Sequence, residues 1–237
     1  MSEMNSIETT GSQPELNTVQ RIIGVFFSPK NTFEDIDRKP GWVVPLILIL
    51  IIMIASTFIT MKYGISERME TQREMMQDRG MTDDQIAMAE KVGKIIGPIW
   101  AAIITGVMLA IFTLILWFVG NIVLGGQTTF SRIFSVYNYS FLIGMLGVVL
   151  SIPLIISKQT ANVHFSLALL LPEDQSKTLL YNVLKAFGLF SIWQYVVLAI
   201  GFAVIYKFSM KKAAVPIFIL FLFVSAISVA VSQLFPQ

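Results

Sequence analysis

Residues 95–124, IIGPIWAAIITGVMLAIFTLILWFVGNIVL, run for 30 positions without an Asp, Glu, Lys, Arg or His. A helix rises about 1.5 Å per residue, so such a stretch can cross a hydrocarbon core about 30 Å thick. A buried helix of a soluble domain is rarely so long or so uniformly apolar. Polar side chains within it are neutral, and Trp100 and Trp117 stand near its ends.

The rest of the chain repeats this pattern. Four further uncharged blocks follow the same rule, which predicts spans at about 42–61, 97–122, 135–157, 187–206 and 213–233. Trp42 and Trp193, with Tyr63, Tyr137, Tyr139, Tyr195 and Tyr206, also sit near block ends, as in the aromatic belts of membrane–water boundaries. Apolar residues are 55% of the chain and charged residues 14%, and mean hydropathy is +0.72. Lipid leaves only helices or closed barrels able to satisfy the backbone, and these blocks are too long for barrel strands. The fold predicted is all-α: a polytopic membrane helix bundle with about five transmembrane helices.

Residues 1–15 are polar and read as a disordered tail; residues 16–237 form the membrane domain. The first forty residues lack the apolar core of a cleaved signal, so the first span is expected to serve as an anchor. Leu16, Val19, Ile22, Ile23, Phe26 and Phe27 recur at helical spacing, with Asn17, Gln20 and Arg21 off that stripe. This predicts a short amphipathic helix, lying in the membrane interface or packed on the ends of the spans. Ser28-Pro29 ends it, and a second helical turn follows, capped by Asn31 or Thr32 and carrying Phe33 and Ile36.

Between spans one and two, Lys62–Lys94 is long and charged. Gly80 stops a first helix, and Thr82 with Gln85 forms a capping box for a second that leads into span two. A helical hairpin standing out of the membrane is expected. Between spans three and four, the apolar run Phe165–Leu171 is too short to cross a bilayer and reads as interfacial or re-entrant. An N-inside topology puts eight basic residues inside and nine outside, which does not decide orientation. The shortest loop, with Lys207, Lys211 and Lys212, favours a cytoplasmic N-terminus.

Chemistry is sparse. There is no cysteine, no P-loop glycine pattern, no metalloprotease motif and no carboxylate pair in a span. His164 is the single histidine, near Glu173 and Asp174, and reads as solvated or interfacial rather than as a base. No catalytic residue, metal site or cofactor is predicted, and the net charge of +2 gives no nucleic-acid footprint. Met61, Met69, Met75, Met76, Met81 and Met88 have soft thioethers that suit copper(I), but packing of a helical hairpin or docking of a partner fits their spacing better. The candidate partner or membrane-interface surface comprises Ile22, Phe26, Phe27, Phe33, Trp42, Met69 and Met76. Thr105, Thr113, Asn121, Asn138, Ser151, Ser191 and Gln194 are the polar span positions that would line a path, though such residues more often bond neighbouring helices.

The order of several short motifs resembles bacterial Yip1-domain proteins. These are Phe27-Ser28-Pro29, Thr32-Phe33-Glu34-Asp35-Ile36 and Lys39-Pro40-Gly41-Trp42 before span one, and Asn162-Val163-His164-Phe165-Ser166-Leu167 in loop three. Phe190-Ser191-Ile192-Trp193 through Ile200-Gly201-Phe202 and Lys207-Phe208-Ser209-Met210-Lys211-Lys212-Ala213 complete them, so that the resemblance covers roughly residues 16–235. It implies a five-span bundle with a cytoplasmic N-terminus, a short tail on the far side and a non-enzymatic role in a bacterial plasma membrane. Eukaryotic members are associated with vesicle trafficking and Rab-type GTPases. Their Asp-Leu-x-Gly-Pro motif is absent, with Lys39-Pro40-Gly41-Trp42 in its place, so that partner is not carried over. The expected function is a scaffold or adaptor that organises lipids, membrane proteins or cytoplasmic proteins. The alternative is a small-solute permease or channel.

Overall fold

The computed structural model describes residues 15–63, 73–160, 163, 165–172 and 178–234. Among the described residues, five helices are long and apolar enough to cross a membrane. In chain order the helices are α1 (Thr18–Phe27), α2 (Pro29–Arg38), α3 (Val43–Tyr63), α4 (Asp83–Phe118), α5 (Phe130–Lys158), α6 (Leu179–Ala186), α7 (Leu189–Tyr206) and α8 (Met210–Leu234). A further helical stretch covers 73–78, and a 3-10 turn covers Leu167–Leu170. The spans are α3, α4, α5, α7 and α8.

Local chemistry explains most boundaries. Asn17 Oδ1 accepts from Gln20 N while Gln20 Oε1 accepts from Asn17 N, so a capping box starts α1. Thr82 and Gln85 do the same for α4. Gly80, at φ +77°, reverses the chain before it. Asn31 and Thr32 do not cap the second helix as expected; Pro29 already occupies its first turn, where its missing N–H costs nothing. Thr32 is buried within α2 and donates to Ser28 O.

Helix α4 starts where the capping box predicts. It begins at Asp83, twelve residues before the apolar block, and runs into the block as one uninterrupted helix. Pro98 is therefore mid-helix rather than at a start. The carbonyl it leaves unpaired belongs to Lys94, the last charged residue before the block, where water can satisfy it. With the π-turn Val119–Val123, the helix reaches about 60 Å. Its first three turns must therefore project beyond a bilayer.

Helix α7 is the hub. It packs against α2, α5 and α8, while α3 bridges α4 and α5. Half of its apolar window is buried, more than in any other span. Leu198, Phe202 and Ala199 lie at its centre, against Tyr139, Ile143 and Val136 of α5. The fourth span, expected over 187–206, is the helix Leu189–Tyr206. Just before it the chain breaks at Phe187-Gly188, where Leu167 N donates to Phe187 O, Leu189 N donates to Phe165 O and Ser166 pairs with Gly188. That loop lies beside Gly147 and Ser151 of α5. Ser151 stands seven residues, about 10 Å, inward from Lys158, so loop three folds into the end of the bundle.

Candidate functional site

The spans supply no charge to the bundle interior, but the N-terminal hairpin does. Arg21 Nε lies 2.6 Å from Asp35 Oδ2, with side chains only 8% and 2% exposed. Arg21 Nη1 donates to Lys39 O at 3.0 Å. Asp35 Oδ1 accepts from Leu16 N at 3.2 Å and from Arg38 Nη2 at 3.1 Å. Every oxygen of the carboxylate is thus occupied, the condition under which a buried ion pair is tolerated. Tyr139 of α5 stands beside Arg21.

This arrangement sets the depth of the hairpin. Tyr139 is seven residues, about 10 Å, further along α5 than Arg132. Phe26 meets Trp193 edge-on at 5.9 Å, and Trp193 is in the far half of α7. Helices α1 and α2 therefore lie along the flank of α5 and α7, not across their ends. Phe33 is the anchor on α2. A Cβ at Gly201 would come within 2.5 Å of Val136 Cγ1 and 2.9 Å of Phe33 Cε2, so only glycine lets the aromatic ring and α5 approach α7 together. Asp37 then meets Arg132 at 3.3 Å.

The expected interface residues separate accordingly. Phe33 is not a surface residue: it is fully buried. Trp42 is half-buried and packs on Phe134 at 5.2 Å. Ile22 and Phe26 are half-buried, facing the bundle. Val19, Ile23 and Phe27, spaced by four, remain 63%, 54% and 81% exposed. The apolar arc of α1 is thus divided between bundle and surroundings, and Arg21, read as lying off it, points inward. A charge in a helical pattern reads as solvent-facing unless its partner, here 14 residues away on another helix, is known.

Met76 is half-buried, Met75 and Met88 are exposed, and Met69 lies outside the described residues, as do His164, Glu173 and Asp174. Arg73 binds Glu90 across the loop-one hairpin. The hydrogen bond that Arg73 donates to Glu90, and the negative charge of Glu90, raise the Arg73 pKa. A raised pKa stabilises the folded form at every pH below the group's ordinary range, which lies far above neutrality, so this contribution is constant across neutral pH. Among the described residues no group of three His, Cys, Asp or Glu stands close enough to hold a metal ion.

The polar span positions do not form one row. Thr105 donates to Ala101 O, Thr113 to Leu109 O, Asn138 to Phe134 O and Ser151 to Val148 O, each within its own helix. Asn121 exchanges hydrogen bonds with the backbone of Thr128, closing the loop after α4. Gln194 is buried against Gly144, whose Cβ would fall 2.3 Å from its Oε1. Ser151 and Ser191 are brought together, with Ser166, in a cleft of about 220 Å³ at the end of the bundle opposite the hairpin's entry.

The Yip1 domain family model matches residues 23–232. Among curated proteins, the chain is 31% identical over 184 residues to the membrane protein YknW of Bacillus subtilis (strain 168), covering 76% of each chain. No solved structure matches.

Proposed function

The chain belongs to the Yip1 domain family of membrane proteins, and from that premise we propose that it is a non-enzymatic scaffold of a bacterial plasma membrane, with its N-terminal hairpin on the cytoplasmic side. One observation carries this reading. Thr105, Thr113, Asn138 and Ser151 spend their hydrogen bonds on their own helices, whereas apolar surface is turned outward where helices leave the bundle. Val19, Ile23 and Phe27 do this on α1, and Met88 and Val92 on the projecting turns of α4. Exposed apolar stripes on helices that are already anchored suit docking of lipid or protein.

Photo-crosslinking side chains at Ile23, Phe27, Met88 and Val92, activated in native membranes, test this. Recurrent capture of the same protein or lipid supports a scaffold. Absence of any specific adduct at all four positions removes it.

The cleft beside Ser151 favours a second reading, a small-solute permease, since it opens a polar notch toward buried Gln194. Solute uptake by purified protein in liposomes, abolished by Ser151→Trp, would establish that activity.

A further inference from the structure

A second cleft, of about 510 Å³, opens on the flank of the bundle between α2 and the junction of α7 with α8. One wall is charged, with Lys30, Glu34 and Asp37, and the floor is apolar, with Ile200 and Val204; Lys207 stands at its rim. The charges sum to zero, which fits neither a simple anion nor a simple cation. Lys30 and Glu34 are 3.9 Å apart and 74% and 47% exposed, a loose pair that an incoming group can separate. Asp37 is shared with Arg132. Lys207 has no ion-pair partner among the described residues, yet it is held at φ 55°, a left-handed position usually given to glycine at a helix end. Val204 and Ala203 carbonyls fix that turn.

The floor continues downward. Val196, Ile200 and Val204 are spaced by four, and Val196 is the one exposed residue between Phe190 and Tyr206 of an otherwise covered helix. A strip one side chain wide therefore runs from the charged wall into the apolar zone. Arg132, Lys211 and Lys212 lie at the same end of the bundle, the depth of lipid headgroups.

We propose that this cleft binds one phospholipid whose headgroup carries both a phosphate and a primary ammonium, that is, a phosphatidylethanolamine. Lys30 and Lys207 hold the phosphate, Glu34 accepts from the ammonium, and one acyl chain lies along Val204, Ile200 and Val196. A phosphatidylglycerol carries the same phosphate but only uncharged hydroxyls in place of the ammonium, and leaves Glu34 and Asp37 without a headgroup cation to offset them. A phosphatidylcholine would offer Glu34 no N–H donor. The proposal stands apart from the scaffold reading, since it holds whether the bundle gathers proteins or passes solutes, and the crosslinking outcome at α1 and α4 does not bear on it.

The test is native mass spectrometry of the full chain in nanodiscs made from equal parts phosphatidylethanolamine, phosphatidylglycerol and phosphatidylcholine. One phosphatidylethanolamine should be retained about tenfold over the other two, the selectivity of one to two charge-assisted hydrogen bonds. Glu34→Gln, which keeps an acceptor oxygen but loses the charge, should weaken preference over phosphatidylcholine, and Lys207→Gln should weaken retention of all three. Both positions are exposed, and melting curves matching the parent verify folding. Retention indifferent to headgroup, phosphatidylglycerol preferred, or selectivity unchanged in Glu34→Gln would each overturn the proposal.

Discussion

Arg21 and Asp35 meet at 2.6 Å on the flank of the bundle, beside Tyr139, in a chain whose five apolar blocks contain no charged residue type. The pair joins α1 to α2 and holds both against α5. An ionisable pair at this depth is costly to desolvate, and its network of partners offsets that cost. Arg21→Met leaves Asp35 buried with only Leu16 N–H and Arg38, and should destabilise the protein by about 3 kcal/mol. The double variant Arg21→Met, Asp35→Leu should be less damaging than Arg21→Met alone. Melting in detergent micelles checks both; a double variant as poor as the sum of the singles would mean the pair does not act as a unit.

Gly201→Ala tests the hairpin's anchorage. The added methyl cannot fit between Val136 and Phe33, so α2 must shift, at a cost of about 1–3 kcal/mol. Phe33→Leu in the same chain should recover part of the loss by freeing space. Limited proteolysis should cut near Arg38 and Lys39 faster in Gly201→Ala and more slowly again in the pair.

Polar groups buried in the bundle are not equal. Ser140 Oγ is buried and has no hydrogen-bond partner among the described residues. Ser140→Ala removes an unmet polar group and should leave the melting temperature unchanged or raise it. Asn121→Ala breaks two hydrogen bonds to Thr128 and should cost about 1–3 kcal/mol. The contrast between these two variants in one melting series is the readout.

Arg73 and Glu90 hold the loop-one hairpin at an exposed position, where salt screens the attraction. With the Arg73 pKa raised, the pair stays ionised as far as Arg73 is concerned throughout pH 6–9. The separation of spin labels at Asp78 and Asp84 should therefore respond to salt, and to Arg73→Gln, without a change in the melting of the bundle.

The spans were legible in the sequence because each satisfies its own backbone and needs no partner to be recognised. The capping box of Thr82 and Gln85 was legible for the same local reason. What escaped was tertiary. Arg21 reads as an exposed charge until Asp35 is brought to it, and Phe33 reads as a surface anchor until Gly201 makes room for it. The break at Phe187-Gly188 was missed because its cause is backbone pairing with Phe165 and Leu167, some twenty residues earlier. Candidate polar positions can be named from the sequence, but whether they line a path depends on hydrogen bonds that spacing does not reveal.

The central claim is a dry bundle whose interactions face outward, and single-cysteine accessibility tests it most directly. The chain has no cysteine, so each introduced thiol is the sole target. Cysteines at Thr105, Thr113, Asn138 and Gln194, with controls at Asp84 and Ser131, would be treated in native membranes with a membrane-impermeant maleimide. The account predicts that the controls label from opposite sides while Thr113, Asn138 and Gln194 stay protected and Thr105 does not label from either side. Labelling of all four span positions would mean that water crosses the interior, and the scaffold account would give way to a permease.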